Sequence, residues 1–284
     1  NLKWSTEIAG YTSKKASLET GLPIGVPVTV GTIDAAAEAI SVGLKQTGDM
    51  MIMYGSTMFF ISLCKGNKSE VSLWSAPWLF KNEFALMAGT STSGTITQWF
   101  KKEFAKDLST NEAFEKLTKL AQKSPVGSKS LITLPYFSGE RTPIQNPNAC
   151  GLIFGLNLTH KREDIYRSII EGISYGANQI LETFISADSK PRRIFAVGGG
   201  VNNKIWINSI SNISGLNQDI KSKTIGAAYG NSFLAALAIG DVNKNDINFW
   251  NKKVRTIKSN YNKNFQEQYI RFKELYSSVY HLMN

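Results

Sequence analysis

Residues 26–33, Val-Pro-Val-Thr-Val-Gly-Thr-Ile, form a continuous β-branched run, the pattern of a strand buried on both faces. Asp34 stands at its end. The small, Ala-rich segment Ala35 to Gly43 predicts a tightly packed helix, and Gly48-Asp49 a turn. Two apolar runs follow, Met50 to Gly55 and Met58 to Leu63. With Gly55-Ser56-Thr57 between them they predict a hairpin. Residues 71–88 read as extended and rich in aromatic side chains. Thr90 to Gly94, a loop of small residues, opens a helix through Gln98, Trp99 and Phe104, and a second helix is expected over roughly 111–122. Leu131 to Tyr136 reads as a strand, and Ser138 to Asn148 as a polar loop with two prolines. From Arg162 to Ile185 apolar residues recur at helical spacing (Ile165, Ile169, Ile173, Ala177, Ile180), with Thr159 as the expected cap and Glu163 and Asp164 in the first turn. Arg193 to Val197 is a short buried strand that runs straight into Gly198-Gly199-Gly200. Helices are expected from about Asn203 to Ser211 and from Ile225 to Ile239. The tail, 262–282, is amphipathic, with Phe265, Tyr269, Phe272, Leu275 and Val279 on one side. Strands and helices alternate, so the class is α/β.

Composition narrows the function. The chain has 284 residues, 42% hydrophobic and 19% charged, enough for a sizeable core and too apolar for disorder. No stretch approaches the roughly 18–20 apolar residues of a membrane span, and no signal peptide opens the chain. Two cysteines, Cys64 and Cys150, and two histidines, His160 and His281, argue against a disulfide framework and against a His/Cys metal site. The expected setting is a reduced cytoplasm, with both cysteines as buried small hydrophobes. The net charge of +10 raises the question of nucleic acid, but the lysines are spread over helical surfaces and the chain end. A solvated Lys-rich surface is the expected reading, with no nucleic acid and no membrane as partners.

Three places offer chemistry. A strand that ends in Gly198, Gly199 and Gly200 and feeds a helix can cradle phosphate, because the glycines let backbone N–H groups approach an anion; the same turn can also serve packing alone. It matches neither the dinucleotide nor the P-loop spacing. Gly55, Ser56 and Thr57 form a second phosphate-sized turn, or an ordinary hairpin. Asp34, at the carboxyl end of a strand, is a general base or a helix cap. Glu140-Arg141, in a Gly/Pro loop, reads as a brace rather than a ligand clamp. Trp74, Trp78 and Trp99 read as packing.

The order of these blocks resembles the FGGY family of carbohydrate kinases. Gly21-Leu22-Pro23-Ile24-Gly25-Val26-Pro27-Val28 with Gly31-Thr32-Ile33-Asp34 resembles the family segment that carries the catalytic aspartate. Gly48-Asp49-Met50-Met51-Ile52-Met53-Tyr54-Gly55-Ser56-Thr57-Met58 resembles its phosphate hairpin. The blocks Leu134 to Pro143 and Glu171 to Gly176, then Gly198 to Val201 with Trp206 and Gly226-Ala227-Ala228, follow in family order. The resemblance implies an actin-like, ribonuclease-H-like ATPase fold, mainly the second of two family domains. Residues 1–45 would be the tail of the first and 46–284 the second, ATP-binding one. It implies ATP and Mg2+ as cofactors and transfer of the γ-phosphoryl group to a sugar hydroxyl. It assigns Asp34 as the base, Ser56 and Thr57 to the phosphates, Gly94 and Gln98 to a helix start near the nucleotide, and Gly199 and Asn203 to the α-phosphate and adenosine. The expected substrate is a ketopentose, most closely xylulose, with gluconate or another sugar or polyol as the alternative. A non-catalytic actin-like nucleotide module is the rival from another class. The family's opening Asp-x-Gly-Thr hairpin and early sugar-contacting segment are not in this sequence, so the Asn1 start fits a truncated or proteolysed chain. Such a chain alone is expected to be inactive, and residues 1–45 to repack or to dock on a second copy as a homodimer. Lys221, Lys223, Asn208 and Asn212 depart from the family pattern near the adenine pocket.

Overall fold

The computed structural model describes residues 2–68, 70–108, 112–223 and 226–283. The chain begins with β1 (Ile8–Tyr11), α1 (Lys14–Thr20), β2 (Pro27–Thr29) and α2 (Asp34–Ser41). Next come β3 (Asp49–Tyr54), β4 (Met58–Cys64), β5 (Trp74–Pro77), β6 (Phe84–Gly89), α3 (Gly94–Phe104) and α4 (Ala113–Ala121). A short pair, β7 (Ile132–Leu134) and β8 (Leu152–Phe154), precedes the long α5 (Arg162–Ser186). The remainder is β9 (Arg193–Val197), α6 (Lys204–Ser214), β10 (Gln218–Lys221), α7 (Ala227–Ala238), α8 (Ile247–Trp250), β11 (Lys253–Ile257) and α9 (Lys263–Val279). The expected first residues of two helices, Asn111 and Ile225, lie outside the described residues.

Seven strands form one sheet in the order β11-β10-β9-β3-β4-β6-β5. β3, β9 and β10 are parallel, and every other neighbour is antiparallel. Alternation along the strands decides what covers each face. Met50, Ile52 and Tyr54 of β3 and Ile194 and Ala196 of β9 face α3, α5 and α6, meeting Ile96, Phe100, Ile169, Ile173, Ile207 and Ile210. Met51, Phe195 and Val197 face the other way, onto Ala36, Ala39 and Ile40 of α2 and Phe233 and Leu234 of α7. After their first residues, Asp49 and Arg193, β3 and β9 are therefore apolar at every position, and the sequence shows them as unbroken runs. A third cluster joins β7, Tyr136 and Tyr175 to Phe265, Tyr269 and Phe272 of α9, the apolar side read from the tail.

The helices on the second face cross at close range. A Cβ on Gly230 of α7 would lie 1.7 Å from the carbonyl oxygen of Ala37 on α2, so only glycine allows this contact. Because of it, α2 is part of the core over the sheet, although its residues fall in the range expected to belong with a first domain. At the far end of β3, buried Asp49 forms a two-pronged pair with Arg193 at 2.7 Å and accepts from the N–H groups of Lys45 and Gln46. That pair ties the starts of β3 and β9 together.

Four expectations are corrected. The strand expected over 26–33 is only the three-residue β2. It pairs with β1 alone, and Val28 and Val30 are 45% and 43% exposed. The run has the composition of a buried strand, but the described residues supply a partner on one edge and leave Val28 and Val30 in the open. Asp34 is neither at the end of a buried strand nor the cap of α2; Ile33 holds the cap position, and Asp34 is the first helical residue. Thr159 does not cap α5. Lys161 is its N-cap, and the Asp164 carboxylate in the first turn accepts from the Lys161 N–H at 2.9 Å. Cys64 is buried, but Cys150 is exposed, and its thiol donates to the Asn148 carbonyl.

Candidate nucleotide site

Because β3 and β9 are adjacent and parallel, the Gly55–Thr57 turn and the Gly198–Gly200 turn leave the sheet side by side at its carboxyl edge. The β3–β4 turn is tight, with the Gly55 N–H donating to the Thr57 carbonyl at 3.1 Å. Its two outward carbonyls cap α3. The N–H groups of Ser93 and Thr95 donate to Ser56, and that of Gly94 to Gly55, at 3.0–3.2 Å. The start of α3 is thus satisfied by the hairpin instead of by a side chain, and its N–H groups are not available to an anion. Among the described residues, the N–H groups of Ser56 and Thr57 have no partner, so they are the donors this hairpin offers. Gly94 must be glycine here, since a Cβ would come 2.5 Å from the Gly55 carbonyl oxygen.

Across the cleft the three glycines do different jobs. Gly198 has φ +91°, and a Cβ on it would meet the Tyr54 carbonyl oxygen at 2.6 Å. Gly200 lies over Trp206 and Tyr54, with contacts of 2.6 and 2.8 Å for a Cβ. Gly199 faces open space within 4 Å and is exposed. Gly198 and Gly200 therefore serve packing, and Gly199 gives backbone access to the cleft. Asn203 caps α6, its Oδ1 accepting from the N–H groups of Ile205 and Trp206 at 3.1 and 3.2 Å. Its amide NH2 is what remains for a ligand. Beneath them, Tyr54 packs edge-to-face on Trp206 and donates to buried Gln218 at 2.6 Å.

Together these turns bound a cleft of about 740 Å³, a volume that suits a nucleotide. Of the residues expected to bind ATP, Gly55, Ser56, Gly94, Gln98, Gly199, Gly200 and Asn203 line it. Thr57, Gly198 and Asp34 are not in its lining. Ala37 and Glu38, in the middle of α2, lie against Gly230 and Gly226 of α7 and its cap. Asp34 is exposed, and its carboxylate accepts from the Ala35 N–H.

Sequence reasoning missed the opposite wall. Phe114, Thr118 and Gln122, with Glu115 and Lys119, line the cleft from α4, and Lys204 closes it from α6. Ala113, Leu117 and Ala121 bury the other face of α4. The available signal was Phe114, an aromatic at i, i+4, i+8 spacing with Thr118 and Gln122 on an otherwise polar face. The C-terminal end of α4 is anchored by a buried pair on α5. Arg167 donates to Glu171 at 2.7 Å and to the Ser124 carbonyl at 2.7 Å, and Glu171 also accepts from Ser128.

Glu140 and Arg141 act as a brace, as the loop composition suggested. Buried Glu140 accepts through one oxygen from the N–H groups of Ser91 and Arg141, both at 2.7 Å, and Arg141 donates to the Thr90 carbonyl. Burial pushes the Glu140 carboxyl up to about 7, against an ordinary value of 4.5. The folded protein therefore holds a proton there that the unfolded chain releases. Stability should fall as pH rises between about 4.5 and 7, by on the order of 3 kcal/mol, and then level off. Glutamine keeps the accepting oxygen and cannot ionise. Urea unfolding from pH 5 to 8 should show that Glu140→Gln loses this fall; an unchanged slope would assign it to other groups.

Among the described residues no three His, Cys, Asp or Glu side chains cluster to hold a metal, and no helix is long and apolar enough to cross a membrane.

The arrangement has close relatives. Bacillus subtilis xylulose kinase is 28% identical over 83% of this chain and 47% of its own length, and Bacillus subtilis gluconokinase 24% over 85% and 49%. The crystal structure of xylulose kinase from Rhodospirillum rubrum superposes with a TM-score of 0.91 at 25% identity, covering 99% of this chain and 57% of that one. The chain spans about half the length of the curated relatives it matches. With a Plasmodium falciparum glycerol kinase also superposing at a TM-score of 0.85, at 18% identity over 98% of this chain and 55% of that one, the fold is that of the actin-like ATPases, as the resemblance implied. The profile of the FGGY carbohydrate kinases, C-terminal domain, matches residues 34–239, and the chain belongs to that family.

Proposed function

We propose that this protein is an ATP-dependent sugar kinase and that the chain supplies its ATP-binding half. The observation that carries the reading is the juxtaposition of two phosphate-sized turns, one with unpartnered N–H groups at Ser56 and Thr57 and one with open Gly199, across a nucleotide-sized cleft. In this reading the triphosphate lies between the turns and the base lies toward α4. The Asp34 carboxylate takes the proton from a sugar hydroxyl; that oxygen attacks the γ-phosphorus, and ADP leaves. Phosphoryl transfer asks mainly for alignment and charge stabilisation, which backbone donors and one positioned base supply. Mg2+ is the expected companion of ATP, but the cleft lining does not make a seat for it. Its one carboxylate, Glu115, is paired with Lys119 at 2.6 Å on the wall away from the hairpin.

For the acceptor we favour a ketopentose, D-xylulose going to D-xylulose 5-phosphate, because xylulose kinases recur among the relatives in both sequence and fold. The gluconokinase match keeps gluconate in the comparison. The ribbon of β1 and β2 and the residues up to Asp34 would belong with the other half, against which their exposed apolar side chains would pack. A coupled ADP-release assay with xylulose, ribulose and gluconate tests this. With both halves present, xylulose should give the fastest release. The chain alone should bind adenine nucleotide weakly and release no ADP, because alignment needs both walls. Failure of all three sugars would contradict the substrate class, and sugar-dependent release by the chain alone would contradict the two-wall argument.

A further inference from the structure

We propose that Glu140 and Arg141 are positioning residues for the phosphate hairpin, acting through Thr90 and Ser91; the inference rests on the nucleotide reading above. The hairpin carries its donors on a turn of three residues, and such a turn keeps its shape only if something outside it holds it. In this fold the holding segment is 90–95. Met58, the residue that ends the turn, exchanges two hydrogen bonds with Thr90: its N–H donates to Thr90 Oγ1 at 2.9 Å, and its carbonyl accepts from the Thr90 N–H at 3.0 Å. On the other side, Ser93, Gly94 and Thr95 clamp the carbonyls of Gly55 and Ser56. The hairpin is therefore gripped from both sides by one segment.

That segment is in turn held by the 135–142 loop. Glu140 takes the Ser91 N–H, Arg141 donates to the Thr90 carbonyl, and the Thr92 hydroxyl donates to the Pro135 carbonyl at 2.6 Å. The loop is itself seated by Thr142, whose hydroxyl donates to the Ser72 carbonyl and whose N–H reaches the Gly89 carbonyl. Arg141 stacks over Trp74 at 5.7 Å. Neither Glu140 nor Arg141 lines the cleft. Their contribution reaches a ligand through the hairpin and through Gly94, which clamps it, so it should be felt by the distal phosphates and not by the nucleoside.

The test is displacement of a fluorescent ATP analogue from the 284-residue chain by ATP and by AMP. Glu140→Ala leaves two half-buried N–H groups, of Ser91 and Arg141, unpaired and should weaken ATP roughly tenfold while AMP stays within about twofold. Glu140→Gln keeps the accepting oxygen and should bind both like the unaltered chain. Thr90→Val removes the other link of the strut and should reproduce the ATP-selective loss, which decides the matter should Glu140→Ala fail to fold. Equal weakening of ATP and AMP would show a merely structural brace and overturn the proposal. So would a folded Glu140→Ala or Thr90→Val that binds ATP within about twofold of the unaltered chain. An unaltered chain that binds no ATP would instead overturn the nucleotide reading beneath the proposal.

Discussion

Asparagine at position 34 is expected to lower kcat of the active kinase by about 10²–10⁴-fold while ATP affinity changes by less than about twofold. The side chain is exposed at the start of α2 and is absent from the lining of the nucleotide cleft. Its contacts give it little structural work. The cap position of α2 belongs to Ile33, and the Asp34 carboxylate accepts from the next N–H in the chain. What remains is an interaction with the helix dipole worth about 0.3–1 kcal/mol, so the variant should stay folded. Asparagine is close in size and cannot take a proton, which separates base chemistry from packing. Near-normal turnover would reduce Asp34 to an ordinary residue of a first turn.

Valine at position 199 should weaken ATP at least roughly tenfold and leave the melting temperature nearly unchanged, whereas alanine at position 200 should lower the melting temperature. The contrast follows from what each Cβ would meet. At Gly199 there is nothing within 4 Å, and the residue does not adopt positive φ, so the fold accepts a side chain that then occupies the cleft. At Gly200 the new atom runs into the Trp206 ring at 2.6 Å and the Tyr54 side chain at 2.8 Å. Moving that buried pair also disturbs the Tyr54–Gln218 hydrogen bond. Overpacking of this kind costs about 1–3 kcal/mol, or a Tm lower by roughly 3–10 °C. Calorimetric titration with thermal melts of both variants checks the pair. Two variants with the same profile would mean that the glycines are not divided between access and packing.

The parts of the site that were legible in the sequence are those where backbone chemistry demands a residue type. Gly55, Gly94, Gly198 and Gly199 announce turns and close approaches, and the apolar runs on either side announce β3, β4 and β9. The parts that stayed hidden depend on tertiary partners. The α4 wall of the cleft carries Thr118, Lys119 and Gln122, which read as a solvated face because the cavity beside them is made by α6. β10 and β11 were not foreseen because Gln218 and Lys221 are polar and yet buried. Gln218 is satisfied by Tyr54, Ser211 and the Ile207 carbonyl, and Lys221 by the Asn251 carbonyl, all distant in sequence or on another element. Conversely, residues 26–33 read as a buried strand because of their composition, and composition does not report whether neighbours are present to bury them.

If the two turns at the sheet's carboxyl edge hold one triphosphate between them, saturating ATP should slow amide hydrogen exchange at Ser56 and Thr57 and across Gly199 to Asn203, and leave the remote β7–β8 pair unchanged. Bound ATP that protects neither turn, or only one of them, would contradict it.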